Sequence, residues 1–251
     1  MHSPKQMPFT KKELLNSLLV VLFLGTIQNI RSQTNSENSL YKWYDDNFGK
    51  ENSEINNGQL YLNYYKTANG THSYLKSETF EKGNVVYENQ TFNDIILNYD
   101  IFKDNLLIKP NGINDRRLVI LIPQKIKSFT FEGKLFVNLN YNPTSTADFI
   151  KGFYEENFIG NNFAFYVKHS KEKREMTSEG KIYDDFKIKN SFVLSFKNKF
   201  YTIDSKRNLT DVFPELKSKI DDYYVSNSKI EESDKTLFME NLMRYLTTNL
   251  K

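Results

Sequence analysis

The chain contains no cysteine. Disulfide bonds, thiolate nucleophiles and cysteine-based metal sites are therefore excluded. The lipid anchor of a bacterial lipoprotein is excluded too, because it is attached to a cysteine. Histidine is scarce, three in 251 residues. No metal-ligand spacing surrounds His72 or His169, and both read as ordinary surface histidines on or near strand ends. There is no G-x-S-x-G elbow, P-loop or dinucleotide fingerprint, so acyl transfer and nucleotide chemistry lack their usual parts. Long apolar runs are missing as well. Leu14 to Leu24 is interrupted by Asn16 and Ser17 and falls short of the roughly 20 residues that a membrane-spanning helix needs.

That short run has informative flanks. Lys5, Lys11 and Lys12 precede it, and the polar stretch Gln28 to Gln33 follows it. A basic start, a short apolar core and a small residue at the cleavage point predict a secretory signal peptide over residues 1–32, cut after Ser32. An uncleaved anchor is the alternative. Removing Lys5, Lys11, Lys12, Arg31 and Glu13 takes 34 basic and 31 acidic residues to 30 of each. A mature chain without basic excess argues against nucleic acid as a partner. The expected location is outside the cytoplasm, in the periplasm or beyond the cell.

What is abundant is aromatic: 16 Tyr and 20 Phe beside one Trp. Such rings favour strands. Residues 33–58 are polar apart from Leu40 to Tyr44 and read as a flexible N-terminal segment. Over 59–204 the pattern is short alternating runs, such as Leu60 to Tyr64, Leu118 to Ile122 and Phe163 to Val167. Turn signals separate them at Asn57-Gly58, Asn69-Gly70, Asn111-Gly112, Glu132-Gly133 and Gly160-Asn161. This predicts antiparallel hairpins in a sandwich or partly open barrel. Tyr87 and Phe92, Phe131 and Phe136, Phe158 and Phe163, and more closely Phe196 and Phe200 flank polar turns as candidate cross-strand pairs.

Residues 205–251 change to a helical period. Val212, Phe213, Leu216, Ile220, Tyr223 and Tyr224 form one stripe, with Pro214 in a first turn. Leu237, Phe238, Leu242, Tyr245 and Leu246 form another, capped by Ser233 or Asp234. The class is thus mainly β with two C-terminal amphipathic α-helices packed on the sheet, α+β overall. A membrane barrel is disfavoured by the helical end and by strands charged on both faces, as over Lys125 to Lys134.

Gly83 to Tyr87, Phe92 and Ile95 to Asp100, with Ser205 to Leu209 and Val212-Phe213-Pro214, resemble a pattern in uncharacterised exported proteins of the Bacteroidetes. The resemblance implies location and general build, with no mechanism attached.

No catalytic, cofactor-binding or metal-ligating residue is assigned, and no cofactor is expected. The carboxylate pairs Asp45-Asp46, Asp184-Asp185 and Asp221-Asp222 are adjacent, and on a strand adjacent residues face opposite ways. Asp100 and Asp104 flank a turn, where Asp100 reads either as a catalytic carboxylate or as an Asx turn. The charged run Lys168 to Glu175 reads as a solvated hairpin tip or a disordered loop. The sequons at Asn69, Asn89 and Asn208 matter only in a glycosylating host. Three functions remain. The first is a non-catalytic envelope protein that binds another protein or peptide, naturally at a sheet edge. The second is a binder of a small or saccharide ligand in a barrel-like cavity. The third is a carboxylate-dependent hydrolase.

Overall fold

The computed structural model describes residues 54–67, 70–141, 147–160 and 163–247. The proposed signal peptide, Leu40 to Tyr44, Asp45-Asp46 and the Asn69 sequon lie outside them.

Among the described residues, eleven strands form one open antiparallel sheet in the order β1-β5-β4-β3-β2-β6-β7-β8-β9-β12-β13. They are β1 (Gln59–Leu60), β2 (Glu81–Tyr87), β3 (Gln90–Asp100), β4 (Asn105–Ile108), β5 (Val119–Ile120), β6 (Ile126–Phe131), β7 (Lys134–Asn138), β8 (Phe153–Ile159), β9 (Phe163–Lys168), β12 (Ser191–Phe196) and β13 (Lys199–Thr202). Strands β10 (Lys171–Ser178) and β11 (Lys181–Ile188) pair with each other, as a ribbon inserted between β9 and β12. The expected antiparallel class is what forms.

Four two-residue turns build the hairpins. Glu88-Asn89, Glu132-Gly133, Glu179-Gly180 and Lys197-Asn198 all have positive φ at both positions. That is the turn whose twist matches the strands. The aromatic spacing locates the hairpins, but the pairs are not directly opposite. Tyr87 faces Gln90 while Phe92 faces Val85, and Phe131 faces Lys134 while Phe136 faces Phe129. A five-residue spacing across such a turn gives diagonal neighbours on one face. The four-residue spacing of Phe196 and Phe200 flips the parity, and the two rings join cores on opposite faces.

One sheet face carries two cores. Tyr99, Phe129, Phe136 and Phe153 pack edge-to-face or stacked within the first, with centroids 4.9–6.0 Å apart. These rings are buried over that face of the sheet. The second core lies between Phe165, Val167, Phe192 and Leu194 and the C-terminal helices.

Those helices are four, not two: α1 (Lys206–Val212), α2 (Lys217–Ser226), α3 (Ser228–Ser233) and α4 (Lys235–Thr247). Pro214 starts a 3₁₀ turn over Pro214–Leu216. Its missing N–H and its ring prevent one helix from running through both stripe halves. Ser205 caps α1 through the Asn208 amide at 3.2 Å. Asp234, one of the two candidate caps, accepts from the Leu237 amide at 3.0 Å at the start of α4. Phe238, Met239, Leu242, Met243 and Leu246 of α4 are buried on the sheet. At the other end, Ile55 of the 3₁₀ turn Glu54–Asn56 is buried in the first core, inside the segment expected to be flexible. Among the described residues, no helix is long and apolar enough to cross a membrane.

Candidate functional site

Where the two cores meet, the shared face turns polar. Glu155 on β8 faces Phe136 on β7 and Val167 on β9. Two residues along each neighbour, on the same face, stand Lys134 and His169. They converge on one carboxylate oxygen: His169 Nε2 lies 2.6 Å and Lys134 Nζ 3.0 Å from Glu155 Oε2. An ionised carboxylate only accepts, so Nε2 carries the proton. Burial alone pushes the Glu155 carboxyl up. The hydrogen bonds from His169 and Lys134 outweigh it and hold the pKa below the ordinary carboxylate value. A register shift at Asn157 turns that side chain toward Glu155 and toward Glu240 of α4, the latter at 2.7 Å.

His169 is therefore not a surface histidine. It is 8% exposed, although it does sit just past the end of β9. The seam opens into a cleft of about 840 Å³ between the β6–β7 turn, the base of the β10–β11 ribbon and the start of α4. Lys134 and His169 line it with apolar Leu75, Ile188 and Phe192. Among the described residues, no group of three or more histidines and carboxylates could hold a metal ion.

The turn carboxylates part company. Asp100 Oδ1 accepts from the amides of Phe102 and Lys103 at 3.0 and 3.1 Å, an Asx turn, and Oδ2 accepts from the Tyr61 hydroxyl at 3.2 Å. Burial raises its pKa more than the hydrogen bonds it accepts pull it down. Nearby, Lys171 Nζ donates to the carbonyls of His72 and Tyr74 at 2.8 and 2.6 Å. Its pKa is pushed down to about 8 by burial. Asp104 instead takes the Tyr99 hydroxyl at 2.5 Å and Lys168 Nζ at 2.6 Å. The charged run Lys168 to Glu175 is thus neither a hairpin tip nor a disordered loop. It forms the base of the ribbon, whose tip is Glu179-Gly180, and Lys168 and Lys171 are tied into buried contacts.

The remaining candidates are structural or exposed. Asp184 accepts from Lys173 at 2.6 Å and from the Lys66 amide, fastening the ribbon to residues 66–67. Asp221 pairs with Lys206 at 2.9 Å. Asn89 sits in a hairpin turn and Asn208 in the first turn of α1, both exposed.

A second surface lies at the sheet edge. Gln59 and Leu60 face Ile120 and Val119, and the Tyr61 amide donates to the Leu118 carbonyl at 2.8 Å. By antiparallel alternation, the N–H and C=O of Leu60 point away from the sheet. Tyr61 is buried on one side, while Leu60, Leu62 and Tyr64 are 57%, 54% and 77% exposed.

Sequence reasoning missed Lys134, Glu155, His169 and Lys171. The available signal was a charged residue at each inward strand position, but it needs the register to be seen. No family model, curated protein or solved structure matches the chain.

Proposed function

We propose that this protein is an exported, non-catalytic module of a cell envelope, most naturally periplasmic, that takes a protein or peptide partner by strand addition at β1. One observation carries the reading: an outward-facing backbone at Leu60 beside three exposed apolar side chains. Natural edges are commonly guarded by charge, proline or a covering element. Among the described residues no strand pairs with the outer side of β1, and a short apolar edge suits a strand-forming partner, with backbone bonds giving affinity and alternate side chains giving selectivity. The signal-type sequence of residues 1–32 supports the location. The Asx role of Asp100 and the ring-filled sheet interior weigh against a hydrolase built on Asp100 and against a ligand inside a barrel.

Selection from a displayed library of random extended peptides tests this. Binders are expected to be retained by the native protein and lost by Leu60→Pro. That change deletes the outward donor and leaves the Tyr61–Leu118 bond in place. Equal retention by both proteins contradicts the reading.

A further inference from the structure

The cleft above Glu155 shares no lining residue with the β1 edge. We propose that it is a separate binding site for a small organic carboxylate with an apolar body. Four lysines line it, Lys76, Lys134, Lys189 and Lys235, against the carboxylates of Glu132 and Asp234. Lys76 and Lys189 are exposed and pair with Glu132 and Glu172 at the surface. Such pairs exchange partners at little cost. Lys134 is anchored by Glu155, and an ammonium carries three donors, of which this bond uses one. The buried His169–Glu155 pair lies beneath it.

The charge balance selects the class of anion. Glu132, Asp234, Glu155 and Glu172 balance the four lysines, and Lys235 donates to the Asp204 carbonyl, so a single negative charge would be met by the two remaining donors of Lys134 and by exchange of the exposed Lys76 and Lys189 pairs. A second charge on the ligand would meet Glu132 and Asp234, with Glu155 below. No arginine is among the described lining residues, and arginine is the side chain whose planar fork matches phosphate best. Leu75, Ile188 and Phe192 supply a wall for an apolar group. The volume falls in the range of about 300–1,000 Å³ typical of small-ligand sites. A free apolar acid and the C-terminal residue of a peptide present the same chemistry.

Calorimetric titration of the purified protein tests the site with N-acetylphenylalanine, its amide and inorganic phosphate. The acid is expected to bind, and the amide to bind at least about tenfold more weakly, since the charge–charge contact is lost. Lys189→Ala combined with Lys76→Ala, both surface changes that leave the floor intact, is expected to weaken the acid by about tenfold. Lys134→Met should do so alone, and the surface double variant keeps the test valid should that protein fold poorly. Tighter binding of the tripeptide Ala-Ala-Phe would identify a peptide terminus as the ligand, and weaker binding a free acid. The proposal is overturned by equal affinity for acid and amide or by tighter binding of phosphate. No binding of the acid at millimolar concentration overturns it too, as does undiminished binding by the surface double variant.

Discussion

His169 and Glu155 meet at 2.6 Å on one face of the sheet, although 14 residues separate them. The contact is diagonal across β8 and the end of β9, and Lys134 completes it from β7. The three residues form the polar seam between an aromatic core and a helix-covered core, at the floor of the cleft.

Removing the carboxylate leaves two donors, His169 Nε2 and Lys134 Nζ, without their shared acceptor. Glu155→Ala is expected to cost about 2–3 kcal/mol, at or below the low end for breaking a buried pair, because Lys134 reaches water. Glu155→Gln keeps an acceptor and is expected to cost about 1 kcal/mol. Urea denaturation at pH 7 measures both. The sign with pH follows from the lowered carboxyl pKa. The stabilisation is fully present above the ordinary value of 4.5 and is lost as pH falls through the lower folded value.

Asp100 behaves oppositely. Burial raises its pKa, so the ionised carboxylate is held at a cost at neutral pH. Asp100→Asn keeps an oxygen for the Phe102 and Lys103 amides and is expected to leave stability within about 0.5 kcal/mol or to raise it. Asp100→Ala removes the turn acceptor and is expected to cost about 1–2 kcal/mol. Denaturation midpoints of the two variants separate the acceptor role from the charge.

Lys171 makes stability rise in mild alkali. With its pKa moved by burial from 10.5 to about 8, the unfolded chain holds more protons than the folded one between those values. Stability therefore increases with pH across that window. Near pH 10 the trend is expected to turn, because Tyr61, Tyr74 and Tyr99 keep their protons by burial in the fold and lose them on unfolding. Lys171→Met should flatten the rise, which a series of urea melts from pH 7 to 10 measures.

Gly152 and Gly133 share a left-handed backbone, φ +71° and +73°, yet differ in surroundings. A Cβ on Gly152 would fall 1.6 Å from Asp104 Oδ2, within the pair that Asp104 makes with Lys168. Gly152→Ala is expected to cost more than about 2 kcal/mol. Nothing lies within 4 Å of a Cβ on Gly133, so Gly133→Asn is expected to cost less than about 0.5 kcal/mol. Thermal melts compare the two.

The antiparallel class was readable because its determinants are local. Glu132-Gly133 between Phe131 and Lys134 declares a tight turn without reference to distant chain. Asp234 ahead of an apolar stripe likewise declares the start of α4. The break at Pro214 was also local, but a single stripe from Val212 to Tyr224 masked it, since a 3₁₀ turn keeps those residues on nearly the same face. The seam was not readable. Lys134, Glu155 and His169 converge only through the pairing of three strands, and one residue of slip would turn each to the other face. Asp100 was visible as a turn residue, but its partner Tyr61 lies 39 residues away. The exposed edge at Leu60 resembled any other alternating run until its pairing with β5, the one strand beside it among the described residues, was seen.

Backbone amide exchange of the protein, alone and saturated with a library-selected peptide, addresses strand addition at β1 most directly. The Leu60 amide is expected to exchange freely in the unbound protein and to slow by more than about tenfold in the complex, while the Tyr61 amide, already bonded to Leu118, changes little. A bound peptide that leaves Leu60 exchanging at its free rate, with protection gained elsewhere, would contradict it.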